Sequence, residues 1–230
     1  MGTAFILILA GFYVGWNIGA NDAANCIGTT VGARIITFKK AACLMAIFVI
    51  LGGVLQGHHV MKTIGKGIVI TSAPAYEKVN NELPPKEIED FFPNGKLPDL
   101  AIFVALVSAG LFVTLATFSS IPVSTSQSIV GGVAGVGLGV VGLNASYFQL
   151  KVLLKILGCW MICPVLTMIL SFIIYLAIAL RLRRTKAIEK WNRLLAFLVI
   201  GSACYVSYSL GANDVGNAIG PLLSKYPDRG

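Results

Sequence analysis

Charge is scarce in this sequence: 12% of its 230 residues are Asp, Glu, Lys or Arg, while 56% are hydrophobic. A soluble domain carries about twice that charged fraction, and a mean hydropathy of +0.81 excludes one. Histidine is nearly absent. The two copies, His58 and His59, are adjacent, so they face opposite ways in most backbones and make no metal pair. The five cysteines are scattered through apolar stretches. Cys159 and Cys163 share a helical face without a further Cys or His beside them, and are expected to pack rather than to bind metal or form a disulfide. No basic stretch precedes the first apolar segment, so that segment does not read as a signal peptide. No Lys or Arg falls in the middle of an apolar segment; Lys151 and Lys155 lie near an end, where they can snorkel. The net charge of +8 comes from short segments between apolar runs. That is a pattern of membrane orientation, and it excludes a basic groove for nucleic acid. No nucleophile, histidine and carboxylate converge within the apolar segments, so an enzyme is not expected, nor a cofactor.

The apolar runs define an all-α integral membrane protein. Spans are expected over about residues 2–20, 41–57, 100–118 and 148–180, with a broken or re-entrant segment over 119–143. Together these form a first transmembrane repeat, residues 1–180. A basic linker follows at 181–193, and residues 194–230 begin a second repeat. Residues 58–98, rich in proline and nearly balanced in charge, read as a hydrophilic loop. Pro164 is the expected kink of the long fourth span.

Of the ten acidic residues, only Asp22 and Asp214 lie inside apolar segments. Both sit in the same context. Trp16 to Gly28 reads WNIGANDAANCIG, and Tyr208 to Gly220 reads YSLGANDVGNAIG, every matched position being offset by 192 residues. A carboxylate in hydrocarbon costs about 2.5–3.5 kcal/mol on insertion scales, so it marks a functional site by default. Its recurrence in a repeated context points to a core built twice. The basic segment from Arg181 to Arg193 should be cytoplasmic, as should Arg34, Lys39 and Lys40, which places loop 58–98 outside. Walking the chain under these constraints makes the two copies run in opposite directions, an inverted-topology repeat.

The motifs suit two kinds of ligand. Asn21, Asp22 and Asn25, with Asn213, Asp214 and Asn217, offer the hard oxygen donors that suit a cation such as sodium. Gly19, Gly28, Gly211, Gly216 and Gly220 are expected to let the helices unwind there and free backbone oxygens. For Asn17, matched by Ser209, helix packing is as good a reading. The run PVSTSQ, Pro122 to Gln127, suits an anion. Pro122 can lead the first turn of a half-helix. Ser124, Thr125, Ser126 and Gln127 then offer side-chain donors beside the unsatisfied N–H groups of a helix start. An anion near Asp22 and Asp214 would be repelled unless cations or protons neutralised them. The residues therefore argue for cation-coupled movement of an anion.

GANDAANCIG and GANDVGNAIG resemble the paired signature of the inorganic phosphate transporter (PiT) family. PVSTSQ resembles that family's second signature, Pro-Val-Ser-Thr followed by Ser or Thr and then His or Gln. The resemblance implies a polytopic helical transporter with inverted repeats and broken helices, resident in the cell membrane. It implies inorganic phosphate as the carried anion and sodium or protons as the coupling ion, with phosphate held at Ser124 to Gln127 and the cation at Asp22 and Asp214. It covers nearly the whole chain, but only the first half and the opening of the second half of a family member. The expectation is therefore a truncated or split chain that meets a complementary C-terminal half or forms a homo-oligomer. Two alternatives stand beside it: a proton-coupled permease for sulfate or another oxyanion, and a non-transporting membrane fragment or paralogue with a binding role only.

Overall fold

A computed structural model of the chain describes residues 2–66, 68–92, 95–121, 123–183 and 188–223. Its elements are helices α1 (Gly2–Gly32), α2 (Phe38–Lys66), α3 (Ala73–Asn80), α4 (Ile88–Phe91), α5 (Asp99–Phe118), α6 (Thr125–Val141), α7 (Leu150–Arg183) and α8 (Ile188–Leu223). A 3₁₀ turn at Ala145–Tyr147 joins α6 to α7. Five of the helices are long and apolar enough to cross a membrane. Large hydrophobic side chains such as Phe12, Phe112 and Phe172 are exposed along them, as expected where lipid rather than water is the solvent.

Helix ends follow local chemistry. α1 stops at a left-handed residue, Arg34, with the Ile35 amide reaching back to the Thr30 carbonyl at 3.0 Å. α5 stops the same way: Ser120 has φ 57°, and the Ile121 amide reaches the Ala116 carbonyl at 2.9 Å. Both are helix-terminating motifs that satisfy carbonyls at the end of the helix. After α5, Ser120, Ile121 and Val123 lie outside any helix, and the Ser124 side chain caps α6 by accepting the Gln127 amide at 3.3 Å. The described part of residues 119–143 thus consists of a stop, a short connection and a 17-residue helix. α6 begins at Thr125, later than a Pro122-led turn would have it, because Ser124 is the cap; Pro122 itself lies outside the described residues.

The unwinding expected at the paired motifs does not occur. α1 and α8 run unbroken through Gly19, Gly28, Gly211, Gly216 and Gly220. Asn21, Asp22, Asn213 and Asn217 find partners across helices, on α5 or α6, and the backbone keeps its own hydrogen bonds. At Gly211 the glycine serves close approach instead. A Cβ there would fall onto the Val49 carbonyl, and one at Gly52 onto the Tyr208 carbonyl. Small residues thus bring α2 and α8 together backbone to backbone. The contacts advance in step, Val49 beside Gly211 and Gly57 beside Val215, so α2 and α8 are parallel. α1 meets α8 the other way round. Gly11 faces Leu222, Gly15 faces Ala218, and Cys26 lies against Ser207. The two copies of the motif are antiparallel. The contact of Gly15 with Ala218 becomes that of Ser207 with Cys26 when each residue is moved by the repeat offset.

Residues 58–98 are more ordered than a hydrophilic loop. α2 continues to Lys66; His58 lies on it, exposed, and the His59 side chain lies outside the described residues. Beyond it Ile68, Ile70, Tyr76, Ile88 and Phe92 are buried. The Ile70 amide donates to the Tyr147 carbonyl at 2.7 Å and the Gln149 amide to the Ile68 carbonyl at 3.1 Å. The rings of Tyr76, Phe91 and Phe92 lie 5.6–6.3 Å from that of Tyr147, near enough to add to the area they bury. The result is a small cap clamped over the C-terminal end of α6. The basic linker is also shorter than expected, because Arg181 and Arg183 close α7 and Lys190 and Arg193 lie in α8; Arg184 and Lys186 lie outside the described residues. Pro164 sits within α7, which buries none of its residues. Cys159 and Cys163 are exposed on it rather than packed in the core.

Candidate functional site

The two motifs place an Asp and an Asn three residues apart, which puts them on one helical face. Asn25 Nδ2 donates to Asp22 Oδ1 at 2.9 Å, and Asn217 Nδ2 donates to Asp214 Oδ1 at 2.6 Å. These two bonds are the same bond in each copy. Both carboxylates are buried, each residue only 7% exposed, and they are close enough to interact electrostatically.

The start of α6 is wedged between them. Thr125 Oγ1 donates to Asp22 Oδ2 at 3.4 Å. Ser126 Oγ accepts from Asn217 Nδ2 at 2.9 Å and from Asn213 Nδ2 at 3.3 Å. A hydroxyl that accepts twice still has its proton to donate. Asp22, Asn25, Thr125, Ser126, Asn213 and Asp214 line one open cleft of about 400 Å³. The first N–H groups of α6 have no carbonyl of their own helix to reach. The cleft thus joins two carboxylates, two carboxamides and the positive end of a helix.

The ten candidate residues do not all converge. Asn21 turns to α5, donating to Thr117 Oγ1 at 3.0 Å. Ser124 borders the cleft, but its side chain serves as the cap of α6, and Ser128 folds back onto the Ser124 carbonyl at 2.9 Å. Gln127 is exposed and lies with Phe112, Ser128 and Gly131 along a separate groove. A helix turns 100° per residue, so a run of consecutive polar residues cannot present one face. Thr125 and Ser126 face the carboxylates, while Gln127 faces away.

At the second copy two acceptors are left over. Asp214 Oδ2 and Asn217 Oδ1 are buried and have no hydrogen-bond partner among the described residues, and Asn217 is 0% exposed. A buried polar atom without a partner costs about 1–3 kcal/mol. Both orphans are oxygens that call for a positive or proton-bearing neighbour.

A second set of polar residues, not foreseen as a unit, links α1 to α5. The Tyr13 hydroxyl lies 2.6 Å from Thr114 Oγ1, and Thr114 donates to Asn17 Oδ1 at 2.6 Å. Gly110 opposite leaves room for the Tyr13 ring. Asn17 is therefore a packing residue. The signal was available: Tyr13, Asn17 and Asn21 recur every four residues, and Thr114 and Thr117 are three apart, so each set lines one helical face.

The sequence pattern of the phosphate transporter family matches residues 18–190. A candidate phosphate permease of Pyrococcus furiosus is 32% identical over 211 residues, covering 87% of this chain and 46% of its own length. The chloroplastic inorganic phosphate transporter 2-1 of Arabidopsis thaliana is 33% identical over 172 residues, covering 75% of this chain and 26% of its own length. The chain thus spans less than half the length of these curated relatives. Among solved structures, a sodium-dependent phosphate transporter superposes with a TM-score of 0.76 at 28% identity, over 99% of this chain and 68% of that one. The paired GAND segments, the capped Ser/Thr helix start between them and these matches agree: the chain is a multi-pass membrane protein and belongs to the phosphate transporter family.

Proposed function

We propose that this chain forms the phosphate- and cation-binding core of one half of a sodium-coupled phosphate symporter. The observation that carries the reading is the pair of buried, unpartnered oxygens Asp214 Oδ2 and Asn217 Oδ1 beside the start of α6. A carboxylate oxygen and a carboxamide oxygen left without a hydrogen-bond partner, with only the Thr125 hydroxyl near the carboxylate, are a donor set for a hard cation. Asp22 and Asn25 supply the equivalent set in the first copy. Sodium held there offsets the two negative charges, and only then does the helix start, with Ser126 and the first amides of α6, favour an anion. The substrate is thereby tied to the cation. Sodium rather than a proton is favoured because the sites are built from oxygens, and because the similar solved structure is described as sodium-dependent. Phosphate as the anion follows from the family.

One Ser/Thr helix start supplies half the donors that a doubly built site would offer, and each charge-assisted hydrogen bond is worth about 1.5–3 kcal/mol. Activity is therefore expected only with a complementary half. Radiolabelled phosphate uptake would be measured in proteoliposomes holding this chain alone, and holding it with the C-terminal half of the Pyrococcus furiosus relative. Expected is uptake only with both halves, driven by an inward sodium gradient and insensitive to excess sulfate. Uptake that follows a proton gradient without sodium, or that sulfate abolishes, would replace the proposed ion or substrate. Uptake by the chain alone would mean that it completes its site as a homo-oligomer.

The orientation is part of the reading. Arg34, Lys39 and Lys40, with Lys190 and Arg193, face the cytoplasm, and the cap faces outward. Single cysteines at Lys78 and at Lys190, in a background without native cysteines, should label from opposite sides of the membrane. Labelling of both from one side would overturn it.

A further inference from the structure

α6 is gripped at two points along its length, and its first turn stands in the cleft. Its residues Thr125, Ile129, Val133, Gly137 and Val141 are buried and fall every four positions, so they form one stripe along the helix. At Gly137 that stripe lies under the cap. A Cβ there would fall 2.8 Å from Val69 Cγ2 and 3.1 Å from Phe148 Cε1. Val69 and Phe148 are paired with each other in an antiparallel bridge, and Asn80 Nδ2 donates to the Ser146 carbonyl at 2.9 Å. The second grip is on α5, where a Cβ at Gly132 would fall 2.7 Å from the Ala105 carbonyl oxygen. Gly132 and Gly137 face directions about 140° apart and lie about 7.5 Å apart along the axis. Ser126 is about 9 Å from Gly132 on the other side.

We propose that α6 is a lever pivoted on α5 at Gly132, and that Val69 and Phe148, through Gly137, are the positioning residues that set where Ser126 stands between the two Asp–Asn pairs. The arms are nearly equal, so a shift under the cap returns at Ser126 with about the same size and the opposite sense. The cleft tolerates little of it. Ser126 accepts from Asn217 at 2.9 Å and from Asn213 at 3.3 Å, and about 0.7 Å more takes the longer bond out of hydrogen-bonding range. A methyl group at Gly137 would overlap Val69 by about that distance, because carbon atoms settle at about 3.5 Å or more. The cap is the stiffer side of this contact. The Ile70 and Gln149 amides and the rings around Tyr147 hold it, whereas the start of α6 borders an open cleft, so α6 yields. The inference rests on the reading of that start as an anion site. It adds what fixes the position of the start, from about 16 Å away along the helix.

The first test reads geometry without phosphate or sodium. The full 230-residue chain, its five native cysteines replaced, is placed in phosphatidylcholine nanodiscs with Ser126→Cys and Asn213→Cys, and copper phenanthroline drives the disulfide between them. Gly137→Ala should slow this crosslink about tenfold, less than a full 1 Å misplacement can cost a reaction. Gly135→Ala and Gly139→Ala bring the same gain in helix propensity, but their methyl groups meet nothing within 4 Å, and they should change the rate by less than about twofold. Val69→Ala added to Gly137→Ala should restore the rate, because it removes the carbon that the new methyl group meets. Tyr147→Leu loosens the clamp without adding bulk to α6, and should slow the crosslink about threefold. In the transporter assembled from both halves, Gly137→Ala should raise KM for phosphate about tenfold with turnover nearly unchanged, and Val69→Ala should reverse it; loss of folded protein alone would lower turnover and leave KM. Equal slowing by Gly135→Ala and Gly137→Ala, no rescue by Val69→Ala, or no slowing by either Gly137→Ala or Tyr147→Leu would each overturn the lever. A crosslink that responds as expected beside an unchanged KM would keep the lever and overturn the anion site, so the two readings fail separately.

Discussion

The two copies of the motif share a sequence and not a state. In the first, Asp22 has both oxygens engaged, by Asn25 and Thr125, and α5 holds the rest of the face through Thr114 and Thr117. In the second, Asp214 has one engaged oxygen and one orphan, and the matching face lies open. The Asp–Asn bond is a property of the local sequence, because three residues along a helix suffice to make it. The remaining partners belong to other helices, and among the described residues the first copy meets more of them than the second.

The sharpest way to break this comparison is to neutralise each carboxylate in turn, in the transporter assembled from both halves. Asp214→Asn and Asp22→Asn should each lower sodium-driven phosphate uptake by at least about a hundredfold, since a charged ligand is lost at each of two coupled sites. Membrane insertion should be unharmed, because the amide is cheaper to bury than the carboxylate. Uptake with unchanged sodium dependence in either variant would make that copy a packing element.

A smaller effect is expected within α6. Ser126→Ala removes an acceptor shared by Asn213 and Asn217, and should weaken phosphate uptake about tenfold through KM, in line with one or two buried hydrogen bonds. Gln127→Ala, one residue on but facing away, should change KM by less than about threefold. A reversed order would mean that the outer groove, and not the cleft, receives the anion.

Smallest in activity but plain in stability is the contrast of Gly19 with Gly211, which occupy the same position in the two copies. A Cβ at Gly19 meets nothing within 4 Å. Gly19→Ala should be neutral or should raise the detergent melting temperature slightly, by about the helix-propensity difference of 1 kcal/mol. Gly211→Ala drives a methyl group into the Val49 backbone and should destabilise by about 1–3 kcal/mol. Equal shifts would mean that α2 and α8 do not approach this closely.

Much of the arrangement was legible in the sequence. The repeat offset and the placement of basic residues implied antiparallel copies, and the Schellman-type stop followed by a Ser-capped helix lies inside the stretch read as broken. The continuity of α1 and α8 was not legible. Glycine beside Asn and Asp suggests unwinding, and only the surrounding helices reveal that Asn21, Asp22, Asn213 and Asn217 reach partners on α5 and α6 while the backbone stays helical. Nor was the backbone contact of α2 with α8, although Gly53 and Gly57, four apart beside Gly52, were a small-residue signal for it. The cap escaped because its core is assembled from Tyr76, Phe92 and Tyr147, which are far apart in the chain and lie in segments whose prolines and charges read as solvent-exposed.

α7 also carries a length. It rises about 1.5 Å per residue, so Lys155 and Arg181 stand about 39 Å apart along it. That nearly spans the distance between the headgroup layers of a typical bilayer, about 40–45 Å in full thickness. With cations at both ends and none of its residues buried within the chain, the helix is a gauge of membrane thickness. In a thick bilayer it stands upright, with both charged ends among the lipid phosphates; in a thin one it must lean, and its lower end swings sideways.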